Sequence, residues 1–230
     1  MHRLEIETPS GIAAVHVATA PDALGTLVLG HGAGGGVWAP DLTAVAQASQ
    51  EAVFQVVLVE QPYRVAGRRA PPRAQTLDEA WIAVVARLRK DVAPQDRLLV
   101  VGGRSSGARV ACRTAERTGA AGVLCLAFPL QPAPRGGRPP APSRLPELDA
   151  VTVPVLVVQG ERDPFGSPPG APGRSVVTVA GDHSLRHDQQ RVADAACTWL
   201  LDLAGASGAP QVRTGGRRGA DGHPGGRCSV

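Results

Sequence analysis

This 230-residue sequence lacks several features, and each absence excludes a class of protein. No apolar run is longer than a strand, so no segment is expected to cross a membrane as a helix. The first residues alternate between polar and apolar, without the apolar core of a signal peptide. The four cysteines lie far apart with no C-x-x-C pair, which favours free thiols in a reducing cytoplasm,. No H-E-x-x-H motif is present, so neither a metal nor another cofactor is implied.

Lysine is also nearly absent, since Lys90 is the only one, and the positive charge is concentrated at one end of the chain. The formal net charge is +4, and from Gly205 onward four arginines and one aspartate supply +3 of it. The remaining, nearly neutral body gives no basis for nucleic-acid binding. We predict one folded domain over 1–204 and a disordered Gly/Arg-rich tail over 205–230, because the tail has too few apolar residues to fold.

Strand-like and helix-like segments alternate through the body of the chain. Short apolar runs rich in β-branched residues predict buried strands at Thr26–Leu29, Phe54–Val59, Leu98–Gly102, Gly122–Phe128, Pro154–Val158 and Ser175–Val179,. Two N-terminal strands, Leu4–Glu7 and Ile12–Val17, are expected to add an antiparallel edge. The repeated βα units predict an α/β fold with a mostly parallel central sheet, helices on both faces, and ligands at the strand carboxyl ends.

Two proline-rich segments interrupt this alternation. Gln61–Pro72 is predicted to be a loop that leads into a helix near Thr76–Lys90. Pro129–Leu148 contains too many prolines to form a helical lid, so it is predicted to be a long surface loop and not a cap domain,. A site without a cap should be open and shallow.

The only G-x-S-x-G motif, Gly103–Gly107, follows directly on the predicted strand Leu98–Gly102. A serine on a sharp strand-to-helix turn tolerates almost no side chain on either flank, and the strain lifts its hydroxyl above the end of the sheet. Ser105 is therefore the candidate nucleophile.

A serine hydroxyl needs a base near neutral pH, and the chain offers one in the expected position. His183 follows the last predicted strand and precedes the last helix, where a hydrolase sheet places its histidine. Asp163, in the turn after the preceding strand, is the candidate acid that orients the imidazole. Glu161 is its main competitor, and Asp182, the immediate neighbour of the histidine, is a weaker one.

The oxyanion formed by such a nucleophile needs two N–H donors. The backbone N–H of Ser106, directly after the nucleophile, is one candidate. The other is the N–H of Ala33, in the glycine-rich loop Gly30–Gly36 that follows the first buried strand.

The same loop also fits the G-x-G-x-x-G pattern of a dinucleotide-binding protein, through Gly30, Gly32 and Gly35,. That alternative requires a helix that begins at the glycines, so that its N-terminus faces the pyrophosphate. The first helix start predicted here is Asp41, which disfavours a dinucleotide site.

Several stretches together carry a family resemblance over about 24–203: Leu29–Gly35, Gln61–Arg64, Gly67–Pro71, Gly102–Arg109, Gln159–Gly166 and Gly181–Ser184. With them the chain resembles the α/β-hydrolase superfamily. More narrowly, it is similar to a small cap-less, dienelactone-hydrolase-like branch. That branch includes a testis-expressed protein and a subunit of the NSL histone-acetyltransferase complex.

The resemblance implies an α/β-hydrolase fold and a carboxylesterase-like serine hydrolase. Its partner would be a small-molecule ester, thioester or other acyl substrate, cleaved through an acyl-enzyme intermediate; no nucleic acid or membrane is expected. Trp38, Phe128 and Phe165 are candidates for lining a small apolar substrate pocket. At least one relative in the branch serves as a scaffold, so a non-catalytic interaction module is the alternative.

Overall fold

Within residues 1–92, 97–132 and 141–207, which the computed structural model describes, eight strands form one sheet. Their order across the sheet is β1-β2-β4-β3-β5-β6-β7-β8, and only the pairs β1–β2 and β2–β4 are antiparallel. The strands are β1 (His2–Thr8), β2 (Gly11–Ala18), β3 (Gly25–Gly30), β4 (Phe54–Glu60), β5 (Leu98–Arg104), β6 (Gly122–Leu126), β7 (Val155–Gly160) and β8 (Arg174–Val179).

Six helices accompany the sheet in the described part of the chain: α1 (Pro40–Glu51), α2 (Pro62–Val65), α3 (Ala74–Asp91), α4 (Ser106–Thr118), α5 (Leu145–Asp149) and α6 (Gln189–Ala206). Side chains of α1 and α6 pack on one face of the sheet, and those of α3 and α4 pack on the other. In β4, for example, Val57 and Val59 join the α3 and α4 side, whereas Val56 and Leu58 join the α1 and α6 side. Covering both faces explains why the central strands are apolar throughout instead of alternating.

The predicted antiparallel edge and mostly parallel sheet are confirmed, but two local predictions are wrong. The predicted loop Gln61–Pro72 contains α2, and the predicted loop Pro129–Leu148 contains the start of α5. Both helices have a proline in the first turn, where its missing N–H costs no hydrogen bond,. The last helix, α6, ends at Ala206.

Parts of these predictions fall on residues that the structure does not describe. Residues 133–140 of the proline-rich segment and 208–230 of the predicted tail lie outside the described residues. Of what is described between β6 and β7, the only helix is the five-residue α5. No helix of the described chain is long and apolar enough to cross a membrane.

Three cysteines lie in the described part of the chain, and all three are free thiols. The sulfur atoms of Cys112 in α4 and Cys125 in β6 are buried and 3.5 Å apart. Their hydrogen bond, together with burial, raises the pKa of the Cys125 thiol. Cys228 lies outside the described residues.

Candidate active site

The serine of the G-x-S-x-G motif lies on a strained turn between β5 and α4. Ser105 has φ 53° and ψ −106°, a combination that non-glycine residues rarely adopt,. Its N–H donates to the carbonyl of Leu126 at the end of β6 (2.9 Å), and its carbonyl accepts the N–H of Arg109 in α4 (3.2 Å). The neighbouring elements thus hold this conformation, and strain held in this way is common at functional residues.

The two glycines of the motif are required by the end of strand β3. A Cβ atom on Gly103 would lie 2.3 Å from the carbonyl oxygen of Gly30, and one on Gly107 would lie 2.4 Å from the same atom. No side chain fits at either distance. Strand β5, which contains Gly103, and helix α4, which contains Gly107, can therefore lie this close to the end of β3 only with glycine at both positions,. This close approach places the serine hydroxyl beside the glycine-rich loop that follows β3.

Three side chains from separate loops form a continuous hydrogen-bonded chain. His183 Nε2 lies 3.0 Å from Ser105 Oγ, and His183 Nδ1 lies 2.7 Å from Asp163 Oδ2. When Nδ1–H donates to the carboxylate, Nε2 presents its lone pair to the serine hydroxyl. The Asp163 side chain is fully buried, whereas that of His183 is 19% exposed. The acid is therefore shielded from water while the histidine can be reached by a substrate.

The carboxylate of Asp163 is itself fixed by two donors that point to its two oxygens. Gln159 Nε2 donates to Oδ2 (2.7 Å), and the N–H of Phe165 donates to Oδ1 (2.9 Å). Gln159 is completely buried at the end of β7, and it also contacts the carbonyls of Phe128 and Gly166. No sequence motif identified Gln159 as a functional residue. A polar residue at the end of a buried apolar strand is nevertheless a pattern that could have identified it.

The competing carboxylates do not reach the imidazole. Glu161 is exposed and pairs with its neighbour Arg162 at 3.0 Å. Asp182 is exposed and accepts the N–H and the hydroxyl of Ser184, at 2.8 and 2.6 Å, and these hydrogen bonds lower its pKa. The structure therefore places only Asp163, among the three candidates, against His183.

A second histidine holds the glycine-rich loop. His31 is 3% exposed, its Nδ1–H donates to the carbonyl of Gly32 (2.8 Å), and its Nε2 accepts the N–H of Gln61 (3.1 Å). Burial lowers the pKa of His31, so the ring is neutral at physiological pH,. With both nitrogens engaged, this histidine supports the loop and takes no part in the hydrogen-bonded chain at Ser105.

The two predicted oxyanion donors belong to segments that border the nucleophile. Ser106 is the first residue of α4, where an N–H has no partner within the helix,. The loop that carries Ala33 passes close by, since a Cβ on Gly32 would be 3.6 Å from the Ser105 Cβ. The Ala33 carbonyl accepts the hydroxyl of Tyr63 in α2 (2.9 Å), whereas its N–H donates to no backbone or side chain that the structure describes.

The three aromatic side chains predicted to line an apolar pocket have different surroundings. Phe128 follows Ala127, whose φ of 48° turns the chain, and its side chain is fully buried in the core beneath α3 and α4. Trp38 is 58% exposed, and its ring packs against His16 with the ring centroids 4.9 Å apart. Of the three predicted residues, Phe165 alone borders the site, with its ring centroid 4.5 Å from that of His183.

A separate cavity of about 370 Å³ opens at the same edge of the sheet. It lies between the β1–β2 turn, α2 and the start of α3, and its lining includes Gln61 and Tyr63, which hold the glycine-rich loop. Ser105 and His183 do not line it. The hydrogen-bonded chain is therefore near the surface and not at the bottom of this cavity.

The described structure does not support a dinucleotide site at the glycine-rich loop or a metal site at the histidines. Helix α1 begins at Pro40, well after Gly35, so the helix that follows the glycines does not begin at them as a dinucleotide-binding site would need,. In the part of the chain that the structure describes, no three His, Cys, Asp or Glu side chains cluster in a way that could hold a metal ion.

The fold and this site agree with a family comparison. The family described as "Alpha/beta hydrolase domain" matches residues 23–199, most of the chain. The chain therefore belongs to the α/β-hydrolase family. No curated protein matches it.

Solved structures with the same fold include known hydrolases. The α/β serine hydrolase without a lid XC6422, from Xanthomonas campestris, is 19% identical, with a TM-score of 0.66 over 87% of this chain and 94% of its own. Est1E from Butyrivibrio proteoclasticus is 16% identical, with a TM-score of 0.71 over 89% and 100%. A dienelactone hydrolase from Anabaena variabilis is 16% identical, with a TM-score of 0.66 over 87% and 96%. The TM-scores establish a common fold.

Proposed function

We propose that this α/β hydrolase is a serine hydrolase that cleaves an ester, thioester or other small acyl compound through an acyl-enzyme intermediate. The observation that carries the proposal is the hydrogen-bonded chain from Ser105 through His183 to Asp163, with the serine on a strained turn. Each of the three roles needed for acyl transfer has a side chain within hydrogen-bonding distance of the next.

The proposed reaction uses these residues in two half-reactions. Ser105 Oγ attacks the substrate carbonyl carbon while His183 Nε2 takes the hydroxyl proton, and Asp163 stabilises the resulting imidazolium. The carbonyl oxygen becomes an oxyanion that accepts the N–H groups of Ala33 and Ser106. The imidazolium then protonates the leaving alcohol or thiol as its bond to the carbonyl carbon breaks. Water, deprotonated by the same imidazole, then attacks the acyl carbon. The bond from this carbon to Ser105 Oγ breaks, the imidazolium returns its proton to Oγ, and the acid is released.

We infer a small substrate that binds near the surface. Phe165 offers an aromatic face beside His183, and no cap covers the site in the described residues. Among the similar structures, Est1E has been solved with ferulic acid bound. Small activated esters such as p-nitrophenyl acetate, followed by methyl ferulate, are therefore the first substrates to test.

Covalent labelling with a fluorophosphonate probe tests the proposal directly. The wild-type protein should be labelled on Ser105, and Ser105→Ala should abolish both labelling and esterase activity. Ser175→Ala, which removes an exposed hydroxyl on β8, is the matched control and should be labelled at the wild-type rate. A non-catalytic interaction module would take no label, so this outcome would reject the enzyme and favour the alternative.

We also propose membership of the small cap-less branch named above and a cytoplasmic location. The first is supported by the motif stretches and by the short connection α5, the only helix described between β6 and β7. The second is supported by the free thiols of the described cysteines,.

A further inference from the structure

The arginine inside the G-x-S-x-G motif joins three parts of the site. Arg104 NH2 donates to the carbonyl oxygen of His183 (2.9 Å), and its Nε lies 3.0 Å from Asp41 Oδ2 in the first turn of α1. Its NH1 lies close to the glycine-rich loop, because a Cβ atom added at Gly32 would be 2.9 Å from this nitrogen. The side chain is only 18% exposed, so these contacts, and not water, surround the guanidinium group.

The partner of this arginine is a carboxylate with an unusual environment. The side chain of Asp41 is completely buried, and neither of its oxygens makes a well-oriented hydrogen bond to a side chain or backbone group that the structure describes. Burial raises the pKa of Asp41, and the positive charge of Arg104 opposes that rise. A buried ion pair of this kind contributes little to stability on balance. Its main effect here is to hold the guanidinium group, and the groups that contact it, in place.

What it holds is the loop that carries the histidine. Ser105 follows β5, whereas His183 follows β8, and strands β6 and β7 lie between them in the sheet. The 3.0 Å contact between the two side chains therefore depends on a connection across the top of the sheet. Arg104, the immediate neighbour of the serine, makes such a connection through the main chain of the histidine itself.

We propose that Arg104 is a positioning residue that fixes His183 relative to Ser105, and that Asp41 holds the guanidinium group in place. The inference rests on the proposed function. It also makes this arginine a poor candidate for binding an anionic substrate group, since its Nε and NH2 already contact protein oxygens.

The test compares two arginines that each pair with a carboxylate near the site. Arg104→Met should lower kcat and the rate of fluorophosphonate labelling by about 100-fold, the usual cost of a 1 Å misplacement of catalytic groups, with KM little changed. Arg109→Met is the matched control, because Arg109 in α4 pairs with Glu147 in α5 (2.8 Å) and touches neither Ser105 Oγ nor His183. It should lower the Tm while labelling proceeds at the wild-type rate.

Two milder variants keep the test decisive if Arg104→Met does not fold. Arg104→Lys keeps a positive charge near Asp41 but presents a point charge that cannot reach both partners, so labelling should slow about 10-fold at a near-native Tm. Asp41→Asn leaves the largely buried guanidinium group without its counter-charge, so labelling should slow, at a Tm equal to or below that of the wild type,.

Several results would overturn the inference. Arg104→Lys protein that is labelled as fast as the wild type would show that the bond to the His183 carbonyl is not needed. Labelling losses that only follow the Tm across all four variants would assign the pair a structural role. A wild-type protein that takes no label would reject the proposed function, and the role of Arg104 with it.

Discussion

At the scale of single residues, the site depends on how each polar atom is held. Asp163 accepts hydrogen bonds at both of its carboxylate oxygens. The two ring nitrogens of His31 are both engaged in hydrogen bonds that hold the glycine-rich loop. The two histidines His31 and His183 therefore have different roles because their hydrogen-bond partners differ. The same logic separates Asp163 from Glu161, which is only two residues away but exposed.

Replacing the acid gives the first prediction at this scale. Asp163→Asn should fold normally but lower kcat by about 10⁴-fold, because the amide favours the wrong imidazole tautomer. Glu161→Gln, the matched carboxylate-to-amide control, should change kcat by less than about twofold, since its exposed ion pair with Arg162 contributes little,. Steady-state kinetics with p-nitrophenyl acetate measure both. The reverse ranking would transfer the role to Glu161.

The pH dependence of the reaction gives a second prediction. His183 accepts the serine proton only as a neutral imidazole, so kcat/KM should be low in acidic solution and rise with increasing pH. His183→Ala should lose this rise together with nearly all activity. His187→Ala changes an exposed histidine in the same loop and should keep the profile. If the rise persists without His183, another group is the base.

At the scale of elements, the half-buried nucleophile lies beside the glycine-rich loop because helix α4 packs close to strand β3. Both glycines of the motif face the same carbonyl oxygen, that of Gly30, at distances that exclude a side chain. The short motif thus encodes a tertiary contact between two elements that lie far apart in the sequence. That contact makes the motif informative in a chain with 28 glycines.

Adding one methyl group at this contact should be costly. Gly107→Ala should lower the free energy of unfolding by about 1–3 kcal/mol, the usual cost of overpacking, and slow labelling of Ser105 as α4 shifts. Gly205→Ala is the matched control, because Gly205 lies in α6 with open space around its Cα and alanine favours a helix,. Urea unfolding should show no loss of stability for the control. Equal stability of the two variants would contradict the proposed contact.

At the scale of the whole molecule, the sequence predicted what depends on order along the chain. Apolar runs such as Phe54–Val59 and Leu98–Gly102 predicted the central strands, and the order of the three motifs predicted Ser105, Asp163 and His183, which the structure brings together. The surroundings of Phe128 and Trp38 depend instead on the path of the chain between elements, which hydrophobic periodicity does not predict. The ion pair between Arg104 and Asp41 could not be predicted either, because it joins two elements that are distant in the sequence.

Buried titratable groups link the stability of the whole fold to pH. Burial lowers the pKa of His31 and of His16 below the ordinary value of 6.5, so the unfolded chain binds protons more readily than the folded one. Stability should therefore be full above about pH 6.5 and fall as the pH decreases below that value. Asp41, whose pKa is raised above 3.8, acts in the opposite sense, because stability decreases as the pH rises through its titration range.

Unfolding in urea at pH 7.5, 6.5 and 5.5 measures the histidine contribution. The wild-type free energy of unfolding should decrease between pH 6.5 and 5.5, where the unfolded chain takes up protons that buried His31 resists. His31→Asn should be less stable at pH 7.5, because it loses hydrogen bonds to the glycine-rich loop, but its stability should depend less on pH. His2→Asn replaces an exposed histidine on β1 and should keep the wild-type slope. If His31→Asn keeps the full slope, protonation of His31 does not link folding to pH, and another group must account for it.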